Sequence, residues 1–358
     1  MISELQKTTS LKPKPKDSDL KFGNVFTDYM FVMDYVPDKG WLPGKITPYE
    51  EFPTTPAASV FHYGQTVFEG LKAFKTDKNE VQIFRLEKHA ARFDKSCEAL
   101  CIPKLPKDTF VNAVKELIAL EKDWVPKTPG CSLYIRPFTI ALDPFLGLKS
   151  SDYYKFMIIL SPVGAYYAEG FNPVKIIIEE KYVRAVKGGL GFAKTAANYA
   201  ASLKASVEAK KKGFTQVLWL DGIEHKYIEE VGSMNIFFVM GDELVTPPLE
   251  GTILDGVTRD SVIQFTKKLG AELGIKKVSE RKISVEDVLS AHQKGLLKEV
   301  FGSGTAAVIS PVGLIQYREK DYVINNQKVG PVAKKLFDEI MGVQYSQKED
   351  AFNWMTKV

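Results

Sequence analysis

Short apolar runs separated by turn residues set the rhythm of this chain. Tyr29–Val36 and Val81–Leu86 read as strands, the latter with Val81 and Ile83 on one side and Gln82 on the other. Leu86, Ala90, Phe93, Cys97 and Leu100 then recur at helical spacing, which predicts an amphipathic helix directly after that strand. A second helix is predicted over Lys107–Glu121, striped by Phe110, Val114 and Leu117, and strands follow at Cys131–Ile140 and Tyr154–Leu160. Ser161–Pro173, with Gly164, Gly170 and Pro173 among aromatics, reads as a connection between domains.

Beyond that connection Val174–Ile178 is an apolar strand. Ala196, Tyr199, Ala200, Leu203 and Val207 mark one face of a helix that stops at Gly213, a C-terminal cap. Lys210, Lys211 and Lys212 fall in its last turn, where positive charge complements the helix dipole. Gln216–Leu220 and Met234–Met240 have the continuous apolar character of buried strands, and helices are predicted over Asp255–Leu269 and Gly330–Met341. The pattern predicts a mixed α/β and α+β fold. Residues 1–165 form a small N-terminal α/β domain, 166–178 a connection, and 179–358 a larger β-rich domain.

Composition changes this picture little. A length of 358 residues favours two domains over one core, and 45% hydrophobic with 26% charged residues is ordinary for a globular protein. The net charge of +4 is too mild to argue for nucleic acid as a partner. Part of the excess lies in Lys12-Pro13-Lys14-Pro15-Lys16, so residues 1–21 read as a mobile, solvated arm. No apolar run suggests a membrane span, and the first twenty residues lack both a hydrophobic core and arginine. The expectation is a cytoplasmic protein. Three cysteines suit a reducing compartment, and Cys97 and Cys101, four apart in a helical pattern, read as small core residues. Four scattered histidines make no metal-ligand spacing, so no zinc site is predicted.

Lys194 is where the chemistry begins. It stands alone in Gly188-Gly189-Leu190-Gly191-Phe192-Ala193-Lys194-Thr195, at the start of a helix, with Tyr199 five residues on. A lysine in a dry pocket loses basicity because burial penalises the charged form, and a neutral amine attacks carbonyls. Glu229-Glu230 follow at the edge of an apolar strand; Glu230 precedes the tight bend Val231-Gly232-Ser233-Met234 and suits an inward-facing anion, with Glu229 the exposed alternative. Lysine plus an acidic partner for a pyridine nitrogen is what pyridoxal phosphate chemistry requires. Asp255-Gly256-Val257-Thr258 offers a capped helix start with amides for a phosphate, and Gly302-Ser303-Gly304-Thr305-Ala306 a second nest. Alone, each glycine-rich turn reads better as a plain connection.

Six segments in order carry a more specific signal: Phe68-Glu69-Gly70-Leu71-Lys72-Ala73-Phe74, Leu133-Tyr134-Ile135-Arg136-Pro137, Pro162-Val163-Gly164-Ala165-Tyr166, Lys194 to Tyr199, Glu230 to Asn235, and Gly302 to Ala306. Together they resemble the branched-chain amino acid aminotransferases, fold-type IV pyridoxal phosphate enzymes, over nearly the whole chain. The resemblance implies that Lys194 forms a Schiff base with pyridoxal 5'-phosphate and shuttles the proton, that Glu230 pairs with the pyridine nitrogen, and that Tyr199 contacts the ring oxygen. It assigns the phosphate to Arg92, Thr305 and the amides of Val257 and Thr258. Helical phase alone makes Arg92 a solvated flank residue.

For the substrate the resemblance implies side-chain walls of Phe26, Phe68, Tyr134 and Tyr166 with Arg136 nearby, and a carboxylate site near Ser233 and the amide of Ala306. It also implies a homodimer in which Tyr63 reaches the neighbouring subunit's active site. Strand alternation independently puts Tyr134 and Arg136 on one face. The sequence departs from the family at Ala307 and Ser310, where some members carry a Cys-x-x-Cys, and at Ser233, often a threonine. The implied reaction is reversible transamination of L-leucine, L-isoleucine and L-valine with 2-oxoglutarate. A D-amino acid aminotransferase or an aminodeoxychorismate lyase of the same fold is the alternative, and a non-catalytic ligand-binding protein the alternative of another class; the Tyr134–Arg136 strand favours the first reading.

Overall fold

The structure, a computed structural model, describes residues 2–164 and 171–358, which gather into two compact units. The first contains the N-terminal stretch together with Ala193–Ala196 and Gly342–Val358. The second contains residues 171–192 and Ala197–Met341.

The first unit is built on β1 (Ile2–Leu5), β2 (Tyr29–Val36), β3 (Gly40–Trp41), β4 (Gly44–Pro48), β5 (Thr66–Phe68), β6 (Leu71–Lys75), β7 (Val81–Phe84), β8 (Ser132–Ala141) and β9 (Tyr154–Val163). Its helices are α1 (Ser59–Tyr63), α2 (Leu86–Ala99) and α3 (Thr109–Leu120). The strand order is β1-β4-β2-β9-β8-β6-β7, with β3 on β2 and β5 on β8. The apolar stripes of α2 and α3 do what their spacing predicts. Leu86, Phe93 and Cys97 pack with Phe110, Val114 and Leu117 over Phe31 and Phe156 of the sheet, each large side chain contributing roughly 1.5–3 kcal/mol of burial.

Two expectations fail in this unit. Cys101 is exposed, because α2 ends at Ala99 and the backbone turns left-handed at Cys101 (φ 54°), which rotates its thiol off the helix face. The N-terminal arm is not a loose tail. Its strand β1 pairs in parallel with β4, the Lys12 amide donates to Asp28 at 2.7 Å, and the Asp17 carboxylate accepts from the amides of Lys127 and Thr128 at 3.0 and 2.9 Å. Composition cannot reveal such backbone pairings.

The second unit carries β10 (Val174–Ile178), α4 (Ala196–Lys211), β11 (Gln216–Leu220), β12 (Ile228–Val231), β13 (Met234–Met240), β14 (Glu243–Thr246), α5 (Val257–Leu273), β15 (Lys277–Glu280), α6 (Val285–Gln293), β16 (Leu297–Gly304), β17 (Val308–Tyr317), β18 (Lys320–Val323) and α7 (Pro331–Gln344). Strand order is β12-β11-β10-β17-β16-β13-β14-β15, and β12 also pairs with β13. Six strands therefore close into a ring, β12-β11-β10-β17-β16-β13, around a core that includes Ile176, Leu218, Val231, Ile236, Val300 and Ile315. Helix α4 lies the other way round from its predicted face. Small Ala205 and Ala209 allow close approach to Val217 and Trp219, and Leu203 and Val207 point to solvent.

The last strand, β19 (Met355–Lys357), pairs antiparallel with β7 through Met355 opposite Phe84. The closing residues thus fold with the first unit, where a boundary drawn at residue 179 runs every later residue into the second.

Candidate active site

Residues 193–196 fold against β5 and α2 of the first unit. Thr195 forms an antiparallel bridge with Val67, the Phe68 amide donates to the Lys194 carbonyl at 3.0 Å, and the Lys194 amide donates to Ser96 Oγ at 2.9 Å. The Thr195 hydroxyl donates to the Thr66 carbonyl at 2.8 Å. The backbone of Lys194 is fixed on both sides, and its Nζ sits 4.9 Å from the centroid of the Phe68 ring. Its side chain is half-buried, where the sequence reading expected a dry pocket; the buried flanks are Ala193 and Thr195.

Beside it, Tyr134 and Arg136 share one face of β8, as alternation predicts. Arg136 Nη2 donates to the Tyr134 hydroxyl at 3.0 Å, and its guanidinium stacks 4.7 Å from the Phe68 centroid. Phe22 meets Tyr134 edge-on at 4.9 Å, and Phe26 stacks on Tyr49. Tyr63 is 42% exposed, with its hydroxyl donating to the Leu146 carbonyl. Tyr166 lies outside the described residues.

Arg92 is buried, not solvated as its helical phase suggested. It forks onto the Glu69 carboxylate, Nε to Oε1 at 2.7 Å and Nη2 to Oε2 at 2.9 Å, and His89 Nδ1 lies 2.8 Å from Oε2. Helix α2 covers Glu69, so its His89–Arg92–Ser96 face is as buried as its apolar stripe. Burial alone would raise the Glu69 carboxyl, but the Arg92 charge and His89 hold it well below the usual carboxylate range. Burial also pushes the His89 imidazole down, against the pull of Glu69, so it stays neutral near pH 7.

In the second unit, Glu230 on β12 faces Asn235 on β13, and Asn235 faces Ser303 on β16. Directly opposed residues share a face, so the three form one row. Asn235 Nδ2 donates to Glu230 Oε1 at 3.0 Å and to the Leu254 carbonyl at 2.9 Å. Arg184 Nε lies 2.7 Å from Glu230 Oε2, an ion pair whose N–H is not aligned as a hydrogen bond, while its Nη2 donates to the Thr252 carbonyl. A buried carboxylate is thereby compensated from two sides. Gly232 and Ser233 form the two-residue bend between β12 and β13. Gly232 has φ 56°, and a Cβ there would fall 1.9 Å from Gln216 Oε1. Ser233 is exposed at the tip.

Glu229, expected on the surface, is buried as well, because β12 is covered on both faces. Asp255 is not the cap of α5. Gly256 holds that position with no side-chain cap bond, and Val257 and Thr258 lie buried in the first turn. A Cβ at Gly256 would fall 1.9 Å from Asn235 Oδ1, so the helix start packs directly on the residue that holds Glu230. Thr305 and Ala306 occupy the turn between β16 and β17, and Tyr199 is half-buried in the first turn of α4. The Ser303 hydroxyl is buried with no hydrogen-bond partner among the described residues.

Sequence reasoning had no role for Glu69, His89, Arg184, Asn235 and Ser303. Glu69, Asn235 and Ser303 lie inside the recurrent segments and were findable there; Arg184 lies in none of them.

Residues 66–315 match the amino-transferase class IV family, and the chain belongs to it. Within that class its likeness is to the branched-chain-amino-acid aminotransferases. The chain is 55% identical, over 98% of its length and 95% of the relative's, to branched-chain-amino-acid aminotransferase 2 of Bacillus subtilis strain 168. Two solved structures have the same fold. The branched-chain amino acid aminotransferase of Escherichia coli is 27% identical with a TM-score of 0.75, covering 91% of this chain and 98% of that one. The branched-chain amino acid aminotransferase of T.th., solved with pyridoxamine 5'-phosphate, is 28% identical with a TM-score of 0.75, covering 91% and 97%.

Proposed function

We propose that this chain is a pyridoxal phosphate-dependent transaminase that moves the amino group between L-leucine, L-isoleucine or L-valine and 2-oxoglutarate. The observation that carries the reading is the 55% identity to an aminotransferase of that name along nearly the full length. The chain's own residues fit the cofactor. The buried Glu230, braced by Asn235 and Arg184, is the anion a protonated pyridine nitrogen needs. The orphaned Ser303 hydroxyl on the same row and the side-chain-free helix start at Gly256 fit a polar, phosphate-bearing group.

When bound, the cofactor supplies an electron-withdrawing ring that stabilises the charge left by the departing α-proton. Lys194 takes that proton on Nζ and returns it, and its doubly anchored backbone limits the arc its amine can sweep. Glu230 would hold the ring nitrogen protonated, and Tyr199 would donate to the ring oxygen. Arg92, Thr305 and the amides of Val257 and Thr258 would be the groups to hold its phosphate, as the family resemblance implies. Phe26, Phe68 and Tyr134 would line the side-chain region, as the resemblance implies also for Tyr166, and Arg136 with the Tyr134 hydroxyl would receive the distal carboxylate of 2-oxoglutarate, which is costly to bury unpaired. Ser233 and the Ala306 amide hold the α-carboxylate. The working assembly is a cytoplasmic homodimer, with the exposed Tyr63 offered to the partner.

Lys194→Ala tests the reading: the purified variant should lose L-leucine:2-oxoglutarate transamination and the visible absorbance of the lysine-bound cofactor. Retention of both would overturn it.

A further inference from the structure

Next to Glu230, on the same short strand, Glu229 presents a different problem. Neighbouring residues of a strand point to opposite faces, so Glu229 looks away from the Asn235 row. Its side chain lines a cavity of about 150 Å³ within the second unit. It is only 6% exposed, and its Oε2 has no hydrogen-bond partner among the described residues. A buried carboxylate oxygen without a donor carries a desolvation cost, which the Thr252 hydroxyl and the Arg184 charge beside this carboxyl offset only in part.

The other charged groups around the cavity do not meet that need. Asp221 is spent on its own turn: Oδ1 accepts from the amides of Lys226 and Tyr227, and Oδ2 from those of Ile223 and Glu224. Lys282 pairs with Glu250 at 3.6 Å and lies over the Tyr227 ring. Lys187 and Glu224 are exposed rim residues. Pro247, Pro248 and Ile253 supply an apolar wall. The cavity thus combines one buried acid with an oxygen lacking a donor, an aliphatic side and a charged rim, in a volume near that of a small ring or a five-carbon chain.

We propose that this cavity binds a small aliphatic primary ammonium, with its –NH₃⁺ donating to Glu229 Oε2 and its carbon chain against Pro247, Pro248 and Ile253. An amino acid and a simple amine share this chemistry. Burial, opposed by Thr252 and Arg184 and reinforced by the Glu230 and Asp221 charges, pushes the Glu229 carboxyl up to about 7. Binding at neutral pH therefore converts –COOH to –COO⁻ against the ammonium and releases a proton to the buffer.

The test is calorimetric titration of the cofactor-loaded enzyme with isoamylamine at pH 6.5 in two buffers of different ionisation enthalpy, with the cofactor absorbance followed in parallel. The expected result is saturable binding with net proton release and unchanged absorbance, which separates this cavity from the catalytic amine and from any failure of the transaminase reading. Glu229→Gln should bind at least tenfold more weakly and release no proton. Ile223→Trp, whose parent side chain is 74% exposed at the cavity mouth, should fold normally, transaminate at the parental rate and exclude the amine. L-leucine titrated into enzyme whose cofactor has been reduced onto its lysine identifies the source: Glu229-dependent binding points to an amino acid, and binding of isoamylamine alone to a simple amine. No binding to the parent enzyme, or equal affinity in Glu229→Gln, overturns the proposal.

Discussion

Replacing Glu69 by glutamine should unfold the first unit far more readily than any surface change, and the reason is countable. The carboxylate accepts two bonds from Arg92 at 2.7 and 2.9 Å, and both side chains are buried. With charge centres roughly 4 Å apart, an effective dielectric of about 20 gives ~4 kcal/mol of attraction. Removing one member of such a pair strands the other charge, at a cost of about 3–5 kcal/mol. The native carboxyl lies below its unfolded value, so its contribution is complete above pH ~4.3 and is lost as pH falls through the lower native value. Urea unfolding of the cofactor-free protein at pH 7, where no phosphate compensates Arg92, should lose at least ~1 M from its midpoint, taking a slope of about 3 kcal/mol per M. The gap should persist from pH 8 to pH 5 and close only in stronger acid. Glu69→Leu with Arg92→Leu should be less destabilised than the sum of the single changes. A midpoint shift under ~0.3 M for Glu69→Gln, or strict additivity, would show that the pair is not the brace described.

Lys72, buried on β6, has its ammonium pushed down to about 8 by desolvation. Lys72→Met should therefore stabilise the fold at pH 7 by roughly 2–3 kcal/mol, and the parent should catch up as pH rises from 8 towards 10.5, where the unfolded chain holds the extra proton; chemical denaturation across that range checks both. Arg136→Gln should lower kcat/KM for 2-oxoglutarate by about 10–100-fold, the worth of a charged hydrogen bond, and that for L-leucine by much less; equal losses would remove Arg136 from distal carboxylate recognition. Gly256→Ala drives a methyl onto Asn235 and should raise the cofactor dissociation constant at least tenfold, measured by absorbance titration of the apoenzyme.

How much of this was legible in the sequence depended on whether the cause was local. β2 and β10 run over the residues their apolar patterns marked, as do β11 and β13, whose near-complete burial on both faces leaves an unbroken hydrophobic signature. The stripe of α2 was readable, but Arg92 was not, since what buries it is Glu69 from the link between β5 and β6, more than twenty residues earlier. Leu203 and Val207 misled because alanine at 205 and 209 makes the tighter seat on Trp219, a preference that appears only once that strand is in place. Glu229 likewise needed the loop around Thr252 before its burial could be seen. Motif order reached the functional residues, and chain-distant partners decided their environment.

Finally, the pairing of β19 with β7 has a consequence for biosynthesis. Lys357 and Glu80, joined by an ion pair at this edge, are 277 residues apart. At ribosomal rates of about 5–20 residues per second, β7 waits roughly 14–55 s with an unclaimed row of amides and carbonyls. A nascent chain in that interval exposes a template for errant pairing, so chaperone dependence should concentrate there, and fusions that delay release of the C-terminus should lower soluble yield.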